Sequence, residues 1–508
     1  MQRRIEELSE GEFDVLVVGG GIQGIAILHA LTQQGFKVAL VEKDDFASGT
    51  SANSLKVIHG GLRYLQTGDF GRMRRSIAAR RQFMQLAPDL VRPQGFVIPT
   101  SKDGLRHPVF MRVALWLNDL ISLDRNRDVA SSNRLPPGQI LRNCDFARLL
   151  TGGVDTFSQT GALWFDALIH NAGRFTIELI KSAKQQGAVV CNYVRAEKYL
   201  QHQGKIFGIQ AIDRESGESL TITAKVVVEV AGAGREQLQH ATSGTSGGYS
   251  CSWLKATNLV FSRALCPDYA VGLPGLQDRF PGDSSSAQES RYFFFIPYSD
   301  STLFGTFYSS FKESPNELTV TKDEVNLMLA HAQHLCPEAN LTLTDVSMSH
   351  VGVVPASSGP GGKLSAIEKQ SSVQIASQRD GSDGLISVQG VKYTESFQVA
   401  DEVSKAVGTR FGRRYRLIRP QRLVDLDTDA TTPISELARR AVRDEMAIHL
   451  TDFVLRRTTL GEVGYPGDRV VQDCAQAMAA EAGWLPARVQ LELAALHKHY
   501  EAIGARVI

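Results

Sequence analysis

Cysteine is sparse in this chain of 508 residues. The six present (Cys144, Cys191, Cys251, Cys266, Cys336 and Cys474) lie too far apart for a C-x-x-C or zinc-ligand spacing. No metal site is expected, and a reduced, cytoplasmic protein fits best. Charge of one sign is not in excess either: 55 Lys plus Arg against 54 Asp plus Glu leave a formal +1, which argues against nucleic acid as a general partner. The basic clusters Arg72–Arg81 and Arg410–Arg419 are too local to change this. Long apolar runs are missing as well. Nothing approaches the roughly 20 residues that span a bilayer, and the first twelve residues are polar and charged, with no signal-peptide core. The nearest to a membrane-facing segment is VFMRVALWLNDLI, 109–121, whose Arg112 and Asp119 argue against spanning. A buried helix is the expected placement. A helix lying on the inner face of a membrane is the alternative.

What is present is concentrated first in residues 13–43, FDVLVVGGGIQGIAILHALTQQGFKVALVEK. The apolar run Phe13–Val18 meets Gly19, Gly21 and Gly24 in G-x-G-x-x-G spacing, then a helical pattern, a second apolar run and Glu42. This is strand, tight turn, helix, strand and acid in the order that binds a dinucleotide. Gly19 makes the turn, Gly21 admits the pyrophosphate to the backbone, and Gly24 lets helix pack on strand. Amides at the helix start, around Ile22 and Gln23, face the diphosphate. Glu42, followed by Lys43, is placed to accept bonds from a ribose.

The length allows two to four domains. Helical patterning returns at 69–88, and 165–193 reads as a long helix followed by Gly187 and a strand at 188–192. Residues 205–234 alternate as a hairpin that ends in Val226–Val230 and the pair Gly232 and Gly234. From about 243 to 348 short β-rich runs such as RYFFFIPY alternate with polar turns, with a helix near 321–335. A loop at Ser357–Gly362 precedes a strand and turn at 384–393 and a helix at 396–408. The tail reads as mainly helical, with Thr432 capping a helix opened by Pro433, Gly483 stopping a second and Pro486 opening a third.

The segment DDFASGTSANSLKVIHGGLRYL, 44–65, resembles the glycerol-3-phosphate dehydrogenase/oxidase family of flavoproteins. In that family a serine-rich turn and a K-L-I-H-G-G-L-R-Y-L motif wrap the flavin end of FAD. Here Lys56, Ile58, His59, Gly60, Gly61, Leu62, Arg63 and Tyr64 match, with Val57 in the place of leucine. The similarity runs on through FVIPT (96–100), Asp155–Ala172, Val194 and Gly232, and through the tail stretches 442–461 and 478–493. It implies an α/β fold: a doubly wound FAD-binding domain of the glutathione-reductase/D-amino-acid-oxidase-like type, an antiparallel β-sheet substrate domain and a C-terminal helical domain. The expected partition is 12–95, 151–242 and 349–412 for FAD, 96–150 and 243–348 for the substrate or cap domain, and 413–508 for the helical domain. The resemblance also implies hydride transfer from a phosphorylated alcohol to the flavin, and onward electron transfer to a quinone or oxygen. A homo-oligomer is expected. The cofactor contacts it implies are Gly19, Gly21, Ile22, Gln23, Gly24, Glu42, Lys43, Thr50, Ser51, Lys56, His59, Gly60, Gly61, Val194, Gly232, Gly390, Lys392, Tyr393 and Thr394.

Departures gather at the substrate site that the resemblance implies. The family's G-V-R-P arginine, which looks like its phosphate clamp, is Val354, so a five-donor cation becomes a hydrocarbon. A second family arginine falls near Lys369. In K-G-x-H the lysine survives as Lys255 but the histidine becomes Asn258, no base near neutral pH. G-T-T-D becomes Gly305, Thr306, Phe307 and Tyr308, and G-G-K-x-T-T-Y-R becomes Gly390 to Phe397, keeping Lys392.

Lys392 is the first candidate for substrate orientation or proton handling. His59 is expected chiefly as a flavin contact. His350 is a candidate relocated base or a satisfied structural histidine. Arg63 is expected to approach substrate or to sit in an ion pair, and Lys255 to face the pocket or solvent. Three functions follow: oxidation of a small anionic alcohol such as glycerol 3-phosphate held by Lys255, Lys369 and Lys392; oxidation of a different hydroxy acid, amine or apolar alcohol, favoured by Phe307, Tyr308 and Val354; or a flavin-binding structural or interaction protein with little turnover.

Overall fold

The computed structural model describes residues 1–142, 149–150, 160–235, 238, 252–275, 292–311, 318–358, 364–377, 381–416, 418, 420–423 and 432–504. Cys144, Cys251, Asp155 and the expected loop at 359–362 lie outside them. In chain order the strands are β1 (Phe13–Val18), β2 (Val38–Val41), β3 (Val57–Ile58), β4 (Val91–Pro99), β5 (Gln139–Arg142), β6 (Thr160–Ile169), β7 (Val189–Cys191), β8 (Val194–His202), β9 (Lys205–Asp213) and β10 (Ser219–Glu229). They continue with β11 (Ser252–Phe261), β12 (Ala270–Pro274), β13 (Tyr292–Tyr298), β14 (Ser301–Phe311), β15 (Val346–Ser358), β16 (Leu364–Ile367), β17 (Ser372–Ile375) and β18 (Leu385–Gln389). The helices used below are α1 (Glu6–Glu10), α2 (Ile22–Gln33), α3 (Phe70–Leu86), α4 (Pro108–Ile121), α5 (Ala172–Gln185), α6 (Lys322–Leu335), α7 (Ser396–Arg410), α8 (Ile434–Glu445), α9 (Asp468–Ala482) and α10 (Pro486–Ala502).

Two sheets carry the molecule. The first runs β17-β18-β10-β1-β2-β7, with the β8–β9 ladder attached through β10. Its central strands β18, β10, β1, β2 and β7 are parallel. Val15 to Val18 and Val38 to Val41 are buried on both faces, which is why these strands read as unbroken apolar runs. Helices α2, α5 and α7 supply one cover. The second sheet runs β16-β15-β11-β14-β13-β12-β4-β6-β3, antiparallel except where β12 meets β4. Its aromatic core, with Phe261, Phe293, Phe295 and Phe304, continues into the C-terminal helices through Phe453, Leu496 and Tyr500.

Three local expectations change. Residues 160–169 form strand β6, not the start of a helix, and the helix runs only from Ala172 to Gln185. Apolar runs either side of His170 and Asn171 look continuous in sequence. Asn171 breaks them, its side chain accepting from the Arg174 N–H at 2.7 Å as the cap of α5. Second, Thr432 does not cap α8: the cap position is Pro433, with no side-chain bond. Third, α4 is not buried. Only Leu115 is fully buried, with Met111 packed partly against the core, while Val109, Phe110, Val113, Trp116 and Leu120 are 47–62% exposed. The sheets also divide the chain differently from the expected partition, since β3, β6 and β15 come from stretches assigned to the FAD domain but lie in the second sheet.

Candidate active site

The nucleotide groove opens where β1 ends. Gly19 adopts φ +117°, a conformation that L side chains rarely take. A Cβ on Gly24 would stand 2.0 Å from the Gly19 carbonyl oxygen, so α2 packs onto the turn only because residue 24 has none. Helix α2 then starts at Gly21 with no side-chain cap of its own, leaving its positive end to an anion. The Ser51 hydroxyl reaches this point and accepts the Ile22 N–H at 3.0 Å. Glu42 accepts from the Gly20 N–H at 2.5 Å and the Asp44 N–H at 2.9 Å. Burial raises its pKa to about 7, against the pull of those two bonds. Its carbonyl holds the Val194 N–H at 2.8 Å, joining β2 to β8. Lys43 pairs with Asp44. Across the groove Gly232, at φ +55°, and Gly234 face open space.

The serine-rich loop beyond is clamped on both sides. Thr50 Oγ1 donates to the Val353 carbonyl and accepts its N–H, both at 2.9 Å, fixing the loop to β15. Lys56 does not turn toward a cofactor. Its fully buried ammonium donates to the Ala52 carbonyl at 2.6 Å and lies 3.3 Å from the Glu462 carboxylate, which also accepts from the Tyr298 hydroxyl. One buried acid thus ties together the loop, the second sheet and the C-terminal segment, and its pairing is what makes a buried lysine tolerable. Of the expected FAD contacts, Lys56 thus has its side chain committed to these partners.

The opposite end of the groove carries the chemistry-bearing groups. Asp166 on β6 accepts the Gly60 N–H at 2.5 Å and the Trp164 indole N–H at 3.1 Å, and pairs with buried Arg80 of α3. A Cβ on Gly60 would strike the Arg80 guanidinium at 2.3 Å. This sets the His-Gly-Gly turn and, with it, His59. Burial lowers the His59 pKa, with Lys392 adding to the effect and Asp166 opposing it, so the imidazole is neutral at neutral pH. The Tyr64 ring lies edge-on to it, centroids 6.4 Å apart. Lys392 Nζ donates to the Tyr64 hydroxyl oxygen at 2.6 Å and lies 3.6 Å from Glu395. Gln23, on α2, donates its side-chain N–H to the Lys392 carbonyl at 2.9 Å. Gly390 packs against that same Gln23, where a Cβ would come within 2.7 Å. Thr394 is buried, and the Tyr393 ring packs at a tilt against Phe83, centroids 5.7 Å apart.

Register decides which strand residues can join them. A Cβ on Gly352 would touch Thr50 at 2.9 Å, so that face of β15 meets the dinucleotide loop. By alternation and pairing, Val354, His350, Leu254, Ala256, Asn258 and Tyr308 share this face. Lys255 and Val353 share the other. Lys255 pairs there with Glu324 and donates to the Thr319 carbonyl at 3.2 Å. Phe307 packs on Phe293 and on His331 of α6, at 4.7 and 5.6 Å. Lys255 is therefore no pocket residue, and Phe307 lends no support to an apolar substrate. His350 Nε2 donates to the Glu462 carbonyl at 2.7 Å, and burial lowers its pKa to about 3. It is a neutral, packed side chain. Arg63 is exposed on the turn after Gly61, and Lys369 is exposed between Glu368 and Gln370.

The groove fits a flavin dinucleotide. Besides the helix start, which has no cap from its own N-cap residue, and the open space at Gly232, the buried polar atoms without a partner among the described residues include Gln23 Oε1, Asn258 Oδ1 and the Tyr393 hydroxyl. Such atoms are costly unless a bound group completes them. A sequence profile described as "FAD dependent oxidoreductase" matches residues 14–393. The chain belongs to the FAD-dependent oxidoreductase family. A second profile, "C-terminal domain of alpha-glycerophosphate oxidase", matches 378–489 and places it in the glycerol-3-phosphate dehydrogenase/oxidase group. The chain is similar to a "Glycerol-3-phosphate dehydrogenase" of Synechocystis, 29% identical over 414 residues, 80% of this chain and 72% of that one. It is also similar to an "Alpha-glycerophosphate oxidase" of Streptococcus pyogenes, 29% identical over 360 residues, 70% of this chain. It spans only 56% of the streptococcal oxidase's length. Among solved structures, the glycerol-3-phosphate dehydrogenase of Bacillus halodurans complexed with FAD superposes with a TM-score of 0.72 at 21% identity, covering 99% of this chain and 97% of that one. The last comparison establishes the fold. FAD is the cofactor of this family, and the residues above are those that would hold it.

Tyr64, Asp166, Arg80, Glu395 and Glu462 are the site residues that sequence reasoning passed over. Tyr64 stood inside the quoted motif and could have been found there. Glu395 likewise stood in the late motif, three residues from Lys392, whereas Arg80, Asp166 and Glu462 act across 86 to 406 residues of chain and leave no local signal.

Proposed function

We propose that this flavoenzyme oxidises a small anionic alcohol, glycerol 3-phosphate being the first candidate, and passes the electrons to a quinone or to oxygen. The observation that carries the reading is the Lys392 ammonium bonded to the Tyr64 phenol beside a neutral His59. Bound FAD supplies the hydride acceptor. The chain's own residues do the rest. Lys392 is a donor and a positive charge, suited to orient an anion or the reacting hydroxyl. His59 has a lone pair free for the hydroxyl proton as the carbon gives up its hydride, so that the alcohol becomes a carbonyl. Asn258, in the place of the family's histidine, can only donate or accept hydrogen bonds. Val354 and Tyr308 on the flavin-facing sheet favour a second reading, a hydroxy acid or amine with less charge than a phosphate dianion.

The exposed stripe of α4 supports contact with a membrane surface, which would suit a quinone as acceptor. Among the described residues no helix is long and apolar enough to cross a membrane.

Lys392→Met and His59→Asn test the assignment. Both variants are expected to retain FAD, read from the visible absorbance, and to lose kcat/KM by about a hundredfold or more, the usual scale for a general base or positioned charge. Unchanged turnover with full FAD occupancy would contradict it.

A further inference from the structure

Helix α3 carries a run of arginines that the reading above does not use. Most are committed elsewhere. Arg74 and Arg81 pair with Asp124 beyond α4, and Arg80 with Asp166. Arg72 and Arg75 are different. Three residues apart, they share one face of the helix, and with Ser76 they line a cleft of about 40 Å³ closed by Gln370, Ser371 and the first two turns of α7. That is several times the ~10–15 Å³ that one water needs.

The cleft's charges are unevenly spent. Glu395 is occupied: one oxygen takes the Ser371 N–H and hydroxyl at 2.9 and 2.7 Å, and the other lies 3.6 Å from Lys392. Glu402, the other acid, is exposed two turns into α7. Arg72 stands with its guanidinium 5.1 Å from the Tyr64 ring centre and its Nε 3.6 Å from Asp69. With the Gln370 amide oriented carbonyl-first, that oxygen accepts from Arg72 Nε and Nη2 at 3.2 and 2.5 Å, which leaves the other amino group over. Arg75 has no hydrogen bond or ion pair among the described residues. Two guanidinium faces are thus available in the cleft, and Lys392 is its near neighbour: the Tyr64 ring lies 5.1 Å from the Arg72 guanidinium and 5.3 Å from Lys392 Nζ, and Glu395, which lines the cleft, lies 3.6 Å from Lys392.

We propose that this cleft is the oxyanion subsite of the enzyme: Arg75 and Arg72 hold the carboxylate or phosphate of the substrate, replacing the cation that position 354 lacks. The proposal rests on the reading of the substrate as anionic. The anion is then gripped from the α3 side of Lys392, and not from strand β15. Guanidinium geometry suits either oxyanion.

The test uses the FAD-loaded enzyme and two probes, inorganic phosphate and acetate, titrated by calorimetry into wild type, Arg72→Gln, Arg75→Gln and Arg74→Gln. Arg74, paired with Asp124 outside the cleft, is the control. Wild type and Arg74→Gln are expected to bind one probe, which identifies the oxyanion as phosphate or carboxylate. Arg72→Gln and Arg75→Gln are expected to bind it about tenfold more weakly, with the same rise in KM of the reducing substrate and an unchanged kcat, as for loss of one charge-assisted bond. Equal binding by all four proteins, or none by wild type, would overturn the cleft while leaving the proposed reaction standing if an anionic alcohol still reduces the flavin. Weakened binding in the two cleft variants with no reduction by any anionic alcohol would keep the cleft and remove the reaction.

Discussion

Gly24 shows how tightly one residue can be specified. Its missing Cβ would stand 2.0 Å from the Gly19 oxygen, whereas a Cβ on Gly21 would only come within 3.2 Å of the Ser51 hydroxyl. In the structure the helix-packing glycine is therefore less replaceable than Gly21. Gly24→Ala is expected to cost about 1–3 kcal/mol of stability by overpacking and to lower FAD occupancy. Gly232→Ala, which meets open space, should bear only the strain of its φ of +55°, about 1–2 kcal/mol. Thermal denaturation with absorbance-based FAD stoichiometry checks both, and equal losses would contradict the packing argument. The glycine roles were legible because spacing alone dictates them. The orientation of Lys255 was not. Alternation along β11 puts Lys255 and Asn258 on opposite faces, but which face meets the dinucleotide loop is decided by the packing of β14, β15 and α6 and leaves no local signal. Lys392 was legible as a candidate from the late motif, but the phenol that receives its bond lies 328 residues away.

At the scale of elements, buried charge joins the C-terminal helices to the nucleotide domain. Asp45, in the loop after β2, accepts from Arg456 and Arg457 in the π-helical turn Phe453–Arg457, and Arg456 also reaches Asp452. The two guanidiniums hold the Asp45 carboxyl well below the usual carboxylate range despite its burial. Beside them His449 lies between Glu215 of the β9–β10 turn at 3.2 Å and Glu492 of α10 at 2.9 Å. Burial works against its charge, but the two carboxylates prevail and raise its pKa to about 10. A raised pKa means that this contribution to stability is complete below the unfolded value of 6.5 and is lost as pH rises through about 10. Wild-type melting temperature should thus fall across pH 6.5 to 10 more steeply than that of His449→Gln, which loses the latch at every pH. Parallel melting curves for the two proteins would contradict this. Elements with clean periodicity, β1 through β2, β9, β10, α6 and α7, were readable from sequence. Strand β6 was not, because the strand and α5 are both apolar and only the two residues between them separate one period from the other.

For the whole molecule, the unexpected feature is α4. Val109, Val113, Trp116 and Leu120 recur at helical spacing on one exposed stripe, and Leu105 and Leu123 extend it at both ends. Sequence showed the amphipathic pattern but could not show which face is covered, since an apolar stripe against a core and one against lipid look alike. The account expects the protein to bind anionic lipid vesicles, with a shift in tryptophan emission, and expects Phe110→Ser/Trp116→Ser to abolish flotation while leaving FAD content intact. Flotation of that variant as strongly as wild type would contradict a role for α4. Above all, the account stands on a flavin reduced by an anionic alcohol oriented at Lys392. The most direct measurement is anaerobic bleaching of the flavin's visible band in the purified yellow protein, comparing glycerol 3-phosphate and small hydroxy acids with uncharged alcohols, amines and amino acids. Rapid bleaching by glycerol 3-phosphate or another anionic alcohol is expected, and its loss in Lys392→Met. Bleaching by amines or uncharged alcohols alone, or by nothing in the panel, would contradict it.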